Sequence, residues 1–151
     1  MGRAAGGVRG VSLSPDDRVV AMDVVDPKAM LLTVSQNGYG KRSLAEDYRL
    51  VHRGAKGVLT MKCTDKTGQV VGVLRVDDAI EDVMIVTSGG KLIRIPVSEI
   101  RVTGRNAQGV KLVNLTEDGE SVASIAPVAD AEGGDELGDL GGDDAGGDAG
   151  E

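Results

Sequence analysis

Short apolar runs recur through the first 130 residues, at 19–25, 30–34, 58–63, 70–76, 82–86, 92–97, 110–115 and 121–126. Several alternate apolar with polar positions, which is the period of two of a half-buried strand. Across 92–97, Leu92, Arg94 and Pro96 share one face, while Ile93, Ile95 and Val97 share the other. Each run therefore predicts a strand. The breaks between them carry turn chemistry. Asn37-Gly38 and Gly89-Gly90 supply the positive φ that tight hairpins need. Ser14-Pro15-Asp16-Asp17, Asp65-Lys66-Thr67-Gly68 and Thr116-Glu117-Asp118-Gly119 read as polar hairpin loops. Residues 44–48 and 97–100 read as single helical turns, and no long amphipathic helix is predicted. The expected fold class is all-β.

The strands repeat. Gly10-Val11, Gly57-Val58 and Gly109-Val110 open similar units, spaced 47 and 52 residues apart. The first two units share a second hairpin, Asn37-Gly38-Tyr39-Gly40-Lys41-Arg42 in one and Gly89-Gly90-Lys91-Leu92-Ile93-Arg94 in the other. Each then ends in a short acidic stretch, and the third unit stops near Val128. A four-strand repeat of about 50 residues is the mark of propeller-like blades. The expected organisation is two and a half blades, at 2–53, 54–103 and 104–130, within an ordered body of residues 1–130.

Composition adds a second segment. All 17 Lys and Arg lie in the body, against 16 of the 24 acidic residues. Residues 131–151 hold the other eight acids, no base, and mostly Gly, Asp and Ala. That tail cannot bury enough apolar surface to offset its ordering entropy, so it is expected to be disordered. A near-neutral body beside an acidic tail points to a basic face for which the tail competes. The alternative is an inert solubilising extension.

Several functions are disfavoured by what is scarce. Tyr39 and Tyr48 are the only aromatic residues. They cannot line a groove with the stacking platforms that single-strand binders use. Packing against a neighbouring blade suits them better. His52 is the only histidine, which leaves a metal site or a catalytic relay little to work with. No Gly-x-x-x-x-Gly-Lys-Ser/Thr loop occurs, so no nucleotide triphosphate site is expected. Asp77-Asp78 and Glu81-Asp82 read as a solvated turn. Cys63 cannot form an internal disulfide and reads as a small core residue. Residues 1–10 lack an apolar run, and no stretch approaches about 20 apolar residues. The expected location is the cytoplasm, with no membrane partner.

Asn37-Gly38-Tyr39-Gly40-Lys41-Arg42 resembles a gyrase blade signature, a glycine hairpin followed by Lys-Arg, found in the A chain of that DNA enzyme. Gly104-Arg105-Asn106-Ala107-Gln108-Gly109-Val110 resembles the same family's Arg-x-x-x-Gly-Val joint between blades. The resemblance, to the C-terminal domain of the DNA gyrase A subunit, runs from about Gly2 to Val128. The acidic tail is also familiar from the family. It implies a β-pinwheel that binds and bends duplex DNA on a basic outer rim. The wrap feeds an ATP-driven strand-passage enzyme that introduces negative supercoils. The basic box Gln-Arg-Arg-Gly-Gly-x-Gly of the family's first blade is absent here. That box best separates gyrase from the related topoisomerase IV, so the topoisomerase IV counterpart stays open as an alternative. The tail and the well-kept repeats favour gyrase.

On this resemblance the rim is expected to comprise Lys41, Arg42, Arg53, Lys56, Lys91, Arg94, Arg105 and Lys111. These recur at the hairpins and joints and would hold phosphates through charge. The implied partners are duplex DNA, the remainder of the gyrase A subunit, plus the gyrase B subunit. No catalytic residue and no cofactor are expected in this chain, ATP and Mg²⁺ belonging to the full enzyme. The rival from another class is a propeller-like protein-interaction module without DNA binding.

Overall fold

The computed structural model describes residues 2–116 and 118–129. The expected acidic tail lies outside them. The described residues are all-β, with two 3₁₀ turns, Ala45–Asp47 and Val97–Glu99, where single helical turns were predicted. β1 (Met30–Ser35) and β2 (Tyr39–Leu44) form one hairpin. Its turn centres on Gly38, whose φ of 82° only glycine adopts cheaply. β4 (Ile80–Thr87) and β5 (Leu92–Pro96) form the second, turning at Gly90.

Each hairpin is completed by a strand that follows it in sequence. β3 (Val70–Val76) pairs antiparallel with β1, matching Ser35 to Val70 and Leu32 to Leu74. β7 (Val122–Ala129) pairs antiparallel with β4, matching Thr87 to Val122. The short β6 (Val110–Lys111) adds to β2, which makes the sheet orders β3-β1-β2-β6 and β5-β4-β7. Leu32, Val34, Val76, Val83, Ile85, Val97, Ile100, Val113 and Val122 form the buried core. Burial of these β-branched and aliphatic side chains is the main stabilising term, since no aromatic side chain belongs to this core.

Three predicted strands differ. Residues 19–25 form none, and Val19, Val20, Met22, Val24 and Val25 are exposed. These residues occupy the repeat position of β3 and β7, but among the described residues no hairpin pairs with them. Residues 58–63 run without a ladder. Residues 110–115 pair only over β6. Cys63 is exposed rather than in the core.

The repeat is also phased differently from the Gly10-Val11 reading. Gly7, Gly57 and Gly109 share positive φ, at 76°, 85° and 81°. The equivalent openings are therefore Gly7-Val8, Gly57-Val58 and Gly109-Val110. Gly10, three residues further on, does not share the positive φ.

Candidate nucleic-acid interface

Re-phasing exposes a motif that occurs three times. Arg3-Ala4-Ala5-Gly6-Gly7-Val8, Arg53-Gly54-Ala55-Lys56-Gly57-Val58 and Arg105-Asn106-Ala107-Gln108-Gly109-Val110 all read Arg-x-Ala-x-Gly-Val. Each folds into the same turn. The alanine N–H donates to a carbonyl three residues back: Ala5 to Gly2 at 3.0 Å, Ala55 to His52 at 3.2 Å and Ala107 to Gly104 at 3.2 Å. The positive-φ glycine then redirects the chain. At Gly109 a side chain is excluded outright, because a Cβ would lie 2.5 Å from the Gly40 carbonyl oxygen. The second and third turns each accept a hydrogen bond from another segment, from the Ser12 N–H to the Ala55 carbonyl at 2.9 Å and from the Lys62 N–H to the Ala107 carbonyl at 3.4 Å.

These turns bring basic groups to the surface. Arg3, Arg53 and Lys56 are exposed, as is Lys111 in β6. Among the described residues, none of the four side chains has a protein partner. Arg9 lies beside the second turn, its Cδ 4.0 Å from where a Gly54 Cβ would stand. Arg105 donates from Nη1 to the Leu59 carbonyl at 2.8 Å, and its guanidinium lies 5.9 Å from the centre of the Tyr48 ring. The Tyr48 hydroxyl is in turn 2.6 Å from Thr60 Oγ1, so the ring is fixed on both sides. Arg3 escaped the sequence reading because the first unit was set three residues late. The shared Arg-x-Ala-x-Gly-Val signal was present.

The hairpin residues behave differently. Lys41 was expected on the rim but is fully buried. Its Nζ donates to the Gly104 carbonyl at 2.7 Å and to the Arg105 carbonyl. Burial, helped by the Arg105 charge and opposed by Asp47, pushes this amine down to about 8. Arg42 is half-buried, with Nε donating to the Ile100 carbonyl at 2.6 Å and Nη2 to the Ser98 carbonyl at 3.3 Å. It thereby ties β2 to the second 3₁₀ turn and the residue that ends it. The Lys41 ammonium is thus turned inward, and two of the Arg42 guanidinium nitrogens are engaged by backbone carbonyls.

Lys91 and Arg94 are on the surface but matched with acids. Lys91 Nζ is 3.1 Å from Glu120, and Arg94 Nε bonds Asp82. Thr87 Oγ1 also donates to Glu120 at 2.7 Å, and these hydrogen bonds hold the Glu120 carboxyl below its ordinary value. The structure thus separates the eight expected residues. Arg53, Lys56, Arg105 and Lys111 belong to turns and the adjoining strand, Lys91 and Arg94 form ion pairs, and buried Lys41 and half-buried Arg42 brace backbone carbonyls.

The fold and its repeated turns define a class, a propeller-type β-repeat domain with basic joints. The family described as "DNA gyrase C-terminal domain, beta-propeller" matches residues 1–26, 29–77 and 81–129. The latter two segments coincide with the hairpins and, for the most part, the strands that complete them. The DNA gyrase A subunit of Salmonella typhimurium (strain LT2) is 45% identical over 148 residues, covering 98% of this chain and 17% of the relative. That of Helicobacter pylori (strain 26695) is 51% identical over 118 residues, covering 78% and 14%. A solved DNA gyrase A C-terminal domain superposes with a TM-score of 0.60 at 29% identity, over 65% of this chain and 33% of that one. A solved C-terminal domain of DNA topoisomerase IV gives 0.72 at 20% identity, over 81% and 38%, a likeness of fold. The chain belongs to the DNA gyrase A C-terminal β-propeller family, and it spans 17% and 14% of the length of these two curated relatives.

Proposed function

We propose that this chain is a DNA-binding and DNA-wrapping segment of a gyrase A subunit, without catalytic residues of its own. The observation that carries the reading is the threefold Arg-x-Ala-x-Gly-Val turn. It puts an arginine at the same place in each repeat, so successive turns offer a periodic track of charge to a phosphate backbone. Scarce aromatics favour a duplex over a stacked single strand. Binding is then indifferent to base sequence, with DNA bendability setting any preference.

The partners in this reading are duplex DNA, the remainder of the A subunit, plus the B subunit, in the cytoplasm. ATP and Mg²⁺ act elsewhere in the assembly. The wrap would present a second duplex with fixed handedness to a strand-passage step, which yields negative supercoils. A relaxed plasmid incubated with the chain and then with topoisomerase I tests this. Retained positive writhe is the expected result. Binding without any topology change would reduce the role to DNA contact, and no binding would favour a protein-interaction propeller.

A further inference from the structure

Lys41 is the one ionisable residue in the buried set among the described residues. A buried ammonium is costly unless hydrogen bonds compensate it. Here they come from a distant segment, the Gly104 and Arg105 carbonyls, 63 and 64 residues along the chain. The same segment covers the side chain. A Cβ built on Gly109 would lie 3.3 Å from Lys41 Cβ. Around the amine, Arg105 comes from the turn and Asp47 from the first 3₁₀ turn, while Thr33, opposite on β1, brings no charge.

The brace is not repeated. Lys41 stands opposite Thr33 in the first hairpin, and the corresponding place in the second hairpin, opposite Ile85, is Ile93. One hairpin thus uses a charge where the other uses packing. The charge ends on the peptide carbonyls of the residue that carries a candidate phosphate contact. That arginine is held from its other side by Leu59 and Tyr48. A lysine needed only for packing could be an isoleucine, as the second hairpin shows.

We propose that Lys41 is a positioning residue for DNA binding: its buried ammonium pins the Gly104-Arg105 carbonyls so that Arg105 is held in place for a phosphate. This rests on the DNA-binding reading above. Lys41 itself touches no DNA and acts through Arg105.

The test is a double-mutant cycle on the whole chain, with Lys41→Met, Arg105→Gln and the pair, using anisotropy of a labelled linear duplex over a salt series. Each single variant is expected to bind about tenfold more weakly. Each should also lower the log–log salt slope by about 0.9, one phosphate's worth. The pair should be no weaker than Arg105→Gln alone, because residues acting as a unit are not additive. Independent, additive losses overturn the proposal.

Amide exchange at Ala107 reports the turn directly. It should quicken in Lys41→Met while Val83 and Ile85 keep their protection, and unchanged Ala107 exchange overturns the pin. If the unsubstituted chain binds no duplex, the DNA reading fails, and Ala107 exchange alone then decides whether the pin exists. If Lys41→Met does not fold, the Ala107 resonance is followed from pH 7 to 9 in an N-terminally acetylated Cys63→Ser chain, which removes the one thiol and the α-amine that titrate in that range. It should titrate with a midpoint near the Lys41 value of about 8. A flat profile overturns the proposal.

Discussion

Gly72 of β3 lies against Ile125 of β7 so closely that a Cβ on the glycine would stand 2.7 Å from Ile125 Cγ1. The two sheets meet at this point, and the missing side chain permits the approach. Gly72→Ala is expected to force Ile125 or the strands apart, at a cost of about 1–3 kcal/mol. Chemical denaturation measures it. An unchanged midpoint would mean that the sheets do not press together there.

Glu120 provides a pH signature. Its carboxylate accepts from Thr87 Oγ1, from Lys91 Nζ and, at 3.2 Å, from the Thr116 N–H. Its folded pKa is lowered from the ordinary 4.5. The unfolded chain therefore binds more protons below that value. The stabilisation is complete above 4.5 and is lost as the pH falls through the lower folded value. Melting temperatures taken from pH 6 downwards should drop less steeply in Glu120→Gln than in the unsubstituted chain. Parallel curves would show that another carboxylate dominates acid unfolding.

Much of the fold is legible in the sequence because hairpins are local. Asn37-Gly38 and Gly89-Gly90 encode their turns, and the alternation at Leu92 to Pro96 encodes the exposed and half-buried faces of β5. What was missed is non-local. The runs 19–25 and 70–76 are alike in length and both rich in valine, yet β3 has β1 beside it and 19–25 pairs with no hairpin among the described residues. Lys41 reads as a rim residue because it follows a glycine hairpin. Its burial depends on a turn more than 60 residues away, which no local period reveals. Gly10 stands in for Gly7 because each directly precedes a valine, although both the Arg-x-Ala-x-Gly-Val motif and the backbone φ mark Gly7.

That contrast is itself measurable. Val19 and Val122 open equivalent stretches of the repeat, but Val19 is 63% exposed and Val122 is 2% exposed. Val122→Ala should cost about 1–3 kcal/mol. Val19→Ser should stay within about 0.5 kcal/mol, as surface substitutions do. A large effect at Val19 that grows with protein concentration would instead mean that residues 19–25 pair between copies of the chain.

Arg42 and Arg53 separate brace from contact. Arg42 satisfies the Ile100 and Ser98 carbonyls, so Arg42→Ala leaves acceptors unpaired and should cost about 1–2 kcal/mol of stability. Arg53 is exposed, and Arg53→Ala should leave stability unchanged while weakening duplex binding. Lys56→Ala and Lys111→Ala should behave like Arg53→Ala. With Lys41 buried, Arg42 engaged by the Ile100 and Ser98 carbonyls, and Lys91 and Arg94 paired to acids, the candidates left to neutralise phosphates are Arg3, Arg53, Lys56, Arg105 and Lys111. The log–log salt slope for the unsubstituted chain is then about −4.5, and Arg53→Ala should bring it to about −3.6. The same slope in both would place Arg53 off the DNA, and a flat salt response in the unsubstituted chain would remove the electrostatic track altogether.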